Sequence, residues 1–249
     1  MKFSDEGIII SQKKYGENSL IIKIFSKQHG IYRGFVKSAK SSKSRVIFQI
    51  GNLITFEHLS RVEESLGSFS SVDLIKSYCS KIIFDKLRLD CIRSLFSIID
   101  SIFLERESHD NLFIMLNNFL QKITSGEADK SQFIAEYIRL ELKILETIGY
   151  GIDLSSCAAT ESTENLVFVS PKSARAVCFS AGEKYQNKLL KLPSFLIAEG
   201  MSSSDGELIE GLQLSGFFLN KFLFAEKNLA QDQSHFFYRN SIVNFLEKN

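Results

Sequence analysis

Proline is scarce in this chain, and the signature motifs of several enzyme classes are absent. Only two of the 249 residues are proline. The sequence has no GxxxxGK loop and no GxGxxG motif after a strand, which argues against a nucleotide-driven motor or a dehydrogenase. It also has no GxSxG or HExxH motif. We therefore expect no enzyme activity and no cofactor, and we predict surface or turn positions for His29, His58, His109 and His235.

A long uncharged hydrophobic run is also absent. The most apolar region, residues 82–104, is interrupted by six charged side chains, which does not suit a membrane-spanning helix. The segment MKFSDEGIII carries acidic residues and no small-residue cleavage site, so it matches a signal peptide poorly. An apolar share of 44% is typical of a globular protein with a sizeable core. We expect a cytoplasmic protein that does not associate with membranes.

Cysteine is infrequent and lacks the spacing of a metal site. The four cysteines, Cys79, Cys91, Cys157 and Cys178, include no CxxC pair. Structural zinc takes four ligands, commonly in closely spaced pairs. A chain of this size does not need disulfides to hold its core, so reduced thiols are expected. We expect no bound metal, and we interpret Cys157 and Cys178 as small buried side chains.

Basic and acidic residues are unevenly distributed along the chain. The first 45 residues contain ten lysines and arginines but only three acidic residues. Because the net charge of the whole chain is +1, this segment carries +7 and the remainder carries −6. A basic N-terminal segment indicates a region that binds anions, and an acidic remainder indicates that the rest of the chain has a different role. A solvated lysine-rich surface without a partner would give the same composition.

Short alternating apolar runs fill the first seventy residues. They read GIIIS, SLIIKIF, IYRGFVK, NLITFEHL and SLGSFS. The intervening segments YGEN and KQHG are typical of hairpin turns, and the serine-rich KSAKSSKS segment is predicted to be a polar loop. Five short strands favour a small closed β-barrel of the OB type, whose open face commonly binds oligonucleotides. We place this domain at residues 1–79.

From about Val72 the apolar spacing becomes helical, which predicts an α+β protein with a helical domain over residues 80–249. One stripe runs from Phe84 to Ile102, another runs from residue 133 to residue 148, and ITSGEAD is predicted to be a loop between helices. Residues 150–192 lose this spacing and are predicted to form a small hairpin or irregular insertion. Ser204 and Glu207 have capping-box spacing. A last helix is predicted from about residue 235 to residue 246.

Cations and aromatic rings alternate on the predicted second and third strands. Period two places Lys23 beside Phe25, and Arg33 beside Phe35, on faces that the hairpin could bring together. Lysine and arginine neutralise phosphates, and a phenylalanine ring accepts a stacked base at about 1–3 kcal/mol. Core packing of both rings is the competing interpretation. The predicted nucleic-acid contacts are Lys13, Lys14, Arg33, Lys37, Lys40, Lys43 and Arg45.

Three other interpretations fit the same residues. A protein-interaction adaptor would dock partners on the acidic helical part and bind an acidic peptide with its barrel. A metal-dependent nuclease would form product in the presence of magnesium. An RNA-binding OB protein also fits, because nothing in the sequence identifies a contact to the 2′-hydroxyl.

The order of these segments resembles the N-terminal domain of the RecO family. The matching features are the turns at Tyr15-Gly16-Glu17 and His29-Gly30, the basic segment at residues 37–40, and a strand opened by Gly51-Asn52. Farther along, LELKILETIGYGIDLSSC and VSPKSARAV resemble a helix end and the insertion that follows it in that family. The resemblance therefore covers most of the chain.

The resemblance implies a non-catalytic recombination mediator of DNA repair, with an OB-fold domain, a helical domain and a nucleoid-associated location. It implies binding of single- and double-stranded DNA and annealing of complementary strands. The implied partners are RecR, the C-terminal tail of single-stranded DNA-binding protein (SSB) and, indirectly, RecA loaded onto SSB-coated DNA. Some family members hold zinc with four cysteines in the insertion. Only Cys157 and Cys178 fall there in this chain, so we expect a zinc-finger-like but metal-free insertion.

Overall fold

The computed structural model describes residues 1–37, 41–62, 65–198, 203–224 and 236–248. The chain forms two compact units, Met1–Ser125 and Gly126–Asn249. The first unit contains a five-stranded sheet followed by helices, and the second is mainly helical, which confirms the predicted α+β class. The domain boundary near residue 79 stays a prediction. Within the described ranges, no helix combines the length and apolar character needed to cross a membrane.

Five strands form the N-terminal sheet, and each of them pairs with two neighbours. The order is β1-β2-β3-β5-β4, and β4 pairs back onto β1, so the sheet closes on itself. All these pairs are antiparallel except β3 with β5. The strands are β1 (Lys2–Tyr15), β2 (Ser19–Ser26), β3 (Gly30–Val36), β4 (Asn52–Leu59) and β5 (Gly67–Ser77).

All five predicted strands are present, although two of them are longer than predicted. β1 begins at Lys2, before the first apolar run, and β5 continues to Ser77, past the predicted change of period. Both extensions pair with β4, where Lys2 lies opposite Leu59 and Ser77 lies opposite Asn52. Pairing with β4 determines where β1 begins and where β5 ends. The spacing of apolar residues in the sequence therefore does not predict these strand ends.

A β-bulge at Ile10 changes which side chains of β1 face the interior of the sheet. Ile9 pairs with Ile24, whereas Ser11 pairs with Lys23, and Ile10 is therefore the extra residue. An extra residue shifts the alternation of a strand by one position. The side chains that follow the bulge consequently lie on faces opposite to those expected from the run GIIIS.

The interior of the N-terminal sheet is filled by apolar side chains from all five strands and from the segment after β3. The buried cluster consists of Ile9, Ile22, Ile24, Tyr32, Val36, Ile47, Phe48, Ile54, Phe56 and Phe69. Burying one large apolar side chain contributes about 1.5–3 kcal/mol. This core therefore stabilises the closed arrangement of the five strands.

Ser42–Ile47 form a short helix, α1, where the sequence predicts a polar loop. Ser41 caps this helix, because its hydroxyl accepts the backbone N–H of Ser44 at 3.1 Å. Ile47 and Phe48 follow the serine-rich stretch and anchor the helix in the core of the sheet. The loop prediction is wrong for residues 42–44, because the apolar anchor lies after the serines.

Two longer helices, α2 (Lys86–Ile102) and α3 (Asp110–Ser125), complete the first unit. The first predicted stripe is α2, but Phe84 precedes the helix and is 99% exposed, so its assignment to the stripe is wrong. No predicted apolar stripe corresponds to α3, and residues 123–125, which the sequence predicts to be part of a loop, form its last turn. Phe113 of α3 packs against Phe25 of β2, with ring centroids 5.9 Å apart.

The described α-helices of the second unit are α4 (Lys130–Thr147), α5 (Phe179–Gly182), α6 (Asp205–Leu219) and α7 (Phe237–Lys248). Helices α4, α6 and α7 follow the predicted pattern, whereas α5 lies in residues 150–192, where the sequence predicts no helix. The predicted capping box at α6 is confirmed, because the Ser204 hydroxyl accepts the Glu207 N–H at 3.2 Å and the Glu207 carboxylate accepts the Ser204 N–H at 3.2 Å. The Ser194 hydroxyl also donates to the Glu207 carboxylate at 2.6 Å, and this hydrogen bond, together with those from Ser204, lowers the pKa of Glu207.

The predicted hairpin in residues 150–192 is confirmed. β6 (Leu166–Val169) lies between β7 (Ala176–Cys178) and β8 (Leu190–Lys191) in a small antiparallel sheet. Cys157 and Cys178 are both buried in this region, as the sequence predicts.

Candidate nucleic-acid interface

Among the described residues of the first 45 positions, ion pairs neutralise four basic side chains. The pairs are Lys2 with Glu57 at 3.4 Å, Lys23 with Asp100 at 2.5 Å, Lys27 with Glu6 at 2.7 Å, and Arg33 with Glu105 at 3.1 Å. A cation in such a pair must give up its carboxylate before it binds a phosphate. Arg33 is therefore a weaker candidate contact than the sequence suggests, because Glu105 competes for its guanidinium group.

Four other predicted contacts are exposed and lack an ion-pair partner among the described residues. They are Lys13, Lys14, Lys37 and Arg45. Lys13 and Lys14 precede the β1–β2 turn, Lys37 follows β3, and Arg45 belongs to α1. We call this part of the N-terminal sheet, around the β1–β2 turn, the hairpin end. Lys40 lies outside the described residues, as does the side chain of Lys43.

Lys13 and Lys14 lie on opposite faces of β1, and the bulge at Ile10 decides which face each of them takes. Lys13 pairs with Ile21 and Lys14 pairs with Leu20. Residues that pair directly across neighbouring strands project to the same face, so Lys14 shares the side of Leu20, which packs against the interior core. Lys13 points to the outer side. The two lysines flank the hairpin end and do not form one continuous patch.

On the outer side, two lysines accompany a pair of aromatic rings. Lys13, Ile21 and Phe35 form one row across three strands. The ring of Tyr15 meets that of Phe35 edge to face, with centroids 5.0 Å apart. Tyr15 is 55% exposed. Lys37 follows β3 directly, and the alternation of that strand, continued by one residue past Val36, places Lys37 on the side of Phe35. We call Lys13, Tyr15, Phe35 and Lys37 the outer surface.

On the other side, a groove separates the β1–β2 turn from α1. Its volume is about 630 Å³, which is within the usual range for a binding cleft. Lys14 and Arg45 reach it from different elements. The complete lining is Gln12, Lys14, Gly16, Glu17, Asn18, Ser19, Leu20, Arg45, Phe48 and Gln49. We call this cleft the hairpin groove.

The predicted face of alternating cations and rings is present only in part. The register confirms that the two predicted faces adjoin, because Lys23 lies opposite Arg33 and Ile21 lies opposite Phe35. Phe25 is fully buried under α3, so its role as a stacking surface is wrong and its core interpretation is correct. Sequence reasoning missed Tyr15 as an accessible ring, although its place beside a hairpin turn indicates exposure.

His58 is buried in β4, so its predicted surface or turn position is wrong. It is 2% exposed, and its ring lies beside those of Tyr32 and Phe69 at 4.8 and 5.4 Å. Its Nδ1 atom has no hydrogen-bond partner in the described part of the chain. Burial, together with the positive charge of Arg106, lowers the pKa of the imidazole.

Acid should therefore destabilise the first unit through His58. The unfolded imidazole takes a proton below about pH 6.5, whereas the buried ring resists it, so stability is complete above that pH and falls as the pH decreases. We expect a loss on the order of 1 kcal/mol between pH 7.5 and 5.5. Urea unfolding at the two pH values should show a smaller loss for His58→Phe. An unchanged pH dependence in that variant would contradict this assignment.

The cysteine pair of the insertion does not fit a zinc ion. The sulfur of Cys157 accepts the backbone N–H of Cys178 at 3.3 Å, and the sulfur of Cys178 lies 3.5 Å from the Thr160 hydroxyl. Burial opposes ionisation of Cys157, but hydrogen bonds from Cys178 and Thr160 lower its pKa to about 6. Tetrahedral zinc needs four ligands, and the described residues contain no group of three or more metal-ligating side chains.

Comparison with known proteins identifies the family. The family model described as "Recombination protein O N terminal" matches residues 1–78, and that described as "Recombination protein O C terminal" matches residues 84–227. The DNA repair protein RecO of Rickettsia canadensis is 37% identical over 236 residues, which cover 95% of each chain. Its counterpart in Rickettsia akari is 39% identical over 224 residues, or 90% of this chain and 92% of that one. The chain therefore belongs to the RecO family of DNA repair and recombination proteins.

Proposed function

We propose that this protein is a non-catalytic mediator of recombinational repair that holds DNA at the hairpin end of its N-terminal sheet. The observation that carries the proposal is the position of Lys13, Lys14, Lys37 and Arg45. These cations are exposed and have no carboxylate partner among the described residues, and Lys13 and Lys37 share the outer surface with the accessible ring of Tyr15. The closed sheet with five strands is, in this proposal, an OB-fold domain.

The proposed mechanism is electrostatic and independent of sequence. Lysine and arginine side chains neutralise phosphates and release counterions, while an exposed ring stacks on an unpaired base. Single and double strands would both bind, and complementary strands would anneal without any bond being made or broken. The proposed partners are RecR and the C-terminal tail of SSB. Through them the protein would help RecA load onto SSB-coated single strands.

Charge reversal at the hairpin end tests the proposal. We expect the variant Lys13→Glu, Lys14→Glu, Lys37→Glu, Arg45→Glu to lose at least about 50-fold in affinity for a fluorescent single-stranded oligonucleotide, because four phosphate contacts become repulsive. Fluorescence anisotropy at 50 mM salt measures the affinity, and circular dichroism checks the fold.

A control variant separates this site from total charge. Lys172, Lys184, Lys188 and Lys248 are exposed in the second unit, and their reversal to glutamate changes the net charge equally. We expect the control to retain affinity within about threefold, since it leaves the four proposed phosphate contacts unchanged. Equal losses in both variants, or no loss in the first, would contradict the proposal.

A further inference from the structure

The hairpin end carries two basic surfaces that face different ways. The outer surface contains Lys13 and Lys37, and the hairpin groove contains Lys14 and Arg45. Their separation follows from the strand itself, because Lys13 and Lys14 are neighbours on β1 and their side chains lie on opposite faces. One extended phosphate backbone that follows the outer face does not enter the groove without turning around the hairpin.

The outer surface has the chemistry of a site for unpaired bases. Tyr15 and Phe35 form a ring pair with centroids 5.0 Å apart, and Phe35 is half-buried while Tyr15 is exposed. The half-buried ring holds the exposed ring in place, so Tyr15 offers a preordered stacking surface. Lys13 and Lys37 lie on the same side and can neutralise the phosphates on either side of a stacked base.

The hairpin groove has a different set of polar groups. Lys14 of β1 and Arg45 of α1 reach it from separate elements, and the amides of Gln12, Asn18 and Gln49 line it. Amides donate and accept hydrogen bonds. The groove is therefore suited to hydrogen bonds with phosphates and base edges, and not to the stacking of bases on aromatic rings. Glu17 also lines the groove and lowers its net positive charge.

We infer that the two surfaces are separate strand sites, so that one chain holds two single strands with the β1–β2 hairpin between them. This inference rests on the proposed function, and it adds how two complementary strands would be brought together before they anneal. Each strand is neutralised by its own pair of cations, which lowers the repulsion between two polyanions held side by side.

Native mass spectrometry with a thymidine hexanucleotide tests the inference by counting strands per chain. The wild-type chain should bind two hexanucleotides. The groove variant Lys14→Glu, Arg45→Glu and the outer variant Lys13→Glu, Lys37→Glu should bind one each. In a companion assay with two complementary labelled 30-mers, both variants should anneal at least about tenfold more slowly than the wild-type chain, because each retains only one strand site.

The possible outcomes separate this inference from the proposed function. A wild-type chain that binds a single hexanucleotide overturns the two-site inference and leaves DNA binding intact. Loss of all binding in either double variant also overturns it, because the two surfaces would then form one site. If the wild-type chain binds no hexanucleotide and no 30-mer, the proposed function itself fails.

Discussion

Arg239→Met should destabilise the second unit by about 3–5 kcal/mol, because it leaves a buried carboxylate without its counter-charge. The Arg239 Nε atom donates to the Glu141 carboxylate at 2.8 Å. Glu141 is fully buried and also accepts hydrogen bonds from the Tyr137 hydroxyl at 2.6 Å and the Ser215 hydroxyl at 2.5 Å. The network joins α4, α6 and α7, and urea unfolding followed by helical circular dichroism measures its contribution.

Two controls distinguish the buried pair from a general effect of losing a cation. Lys143→Met removes a partly exposed pair with Glu146 and should cost less than about 1 kcal/mol. Adding Glu141→Gln to Arg239→Met removes the stranded charge and should recover at least half of the loss. If Arg239→Met unfolds at the same urea concentration as Lys143→Met, the pair does not hold these helices together.

The first unit should be equally sensitive to Gly30→Ala, with a loss on the order of 3 kcal/mol. Gly30 ends the β2–β3 turn with φ of +77°, a conformation that residues with a Cβ atom rarely adopt. A Cβ atom there would lie 1.9 Å from the backbone oxygen of Glu107. Backbone cannot rotate away as a flexible side chain can, so the segment before α3 or the turn must shift.

Gly16→Ala provides the matched control. Gly16 also has a positive φ, of +60°, but no described atom beyond its chain neighbours lies within 4 Å of the position that a Cβ atom would occupy. It should cost only the conformational penalty of about 1–2 kcal/mol. The difference between the two urea midpoints isolates the steric contribution. Equal losses in Gly16→Ala and Gly30→Ala would contradict the close approach of Glu107.

The strands and most helices could be predicted from the sequence because their signals are local. Alternating apolar runs and glycine turns identify all five strands, and the spacing of Ser204 and Glu207 identifies the start of α6. The bulge at Ile10 could not be predicted, because an extra residue in a run of three isoleucines leaves the composition unchanged. That single residue decides the faces of Lys13 and Lys14.

The sequence predicts which basic residues make up the candidate site, but not which of the neighbouring cations pair with carboxylates. The sequence identifies a basic segment, whereas the carboxylates that neutralise two of its cations lie far away along the chain. Asp100 is 77 residues from Lys23, and Glu105 pairs with Arg33 from the segment before α3. Such pairs depend on how helices pack over the sheet, which local patterns do not reveal.

The salt dependence of single-strand binding tests the central claim most directly. If the exposed cations contact phosphates, log K should fall with log salt concentration at a slope of roughly −1.5 for a strand held by one pair of cations, or roughly −3 for a strand that contacts all four, and the four-residue glutamate variant should have a slope near zero. A wild-type slope near zero, or the same steep slope in that variant, would contradict the claim that these side chains hold DNA.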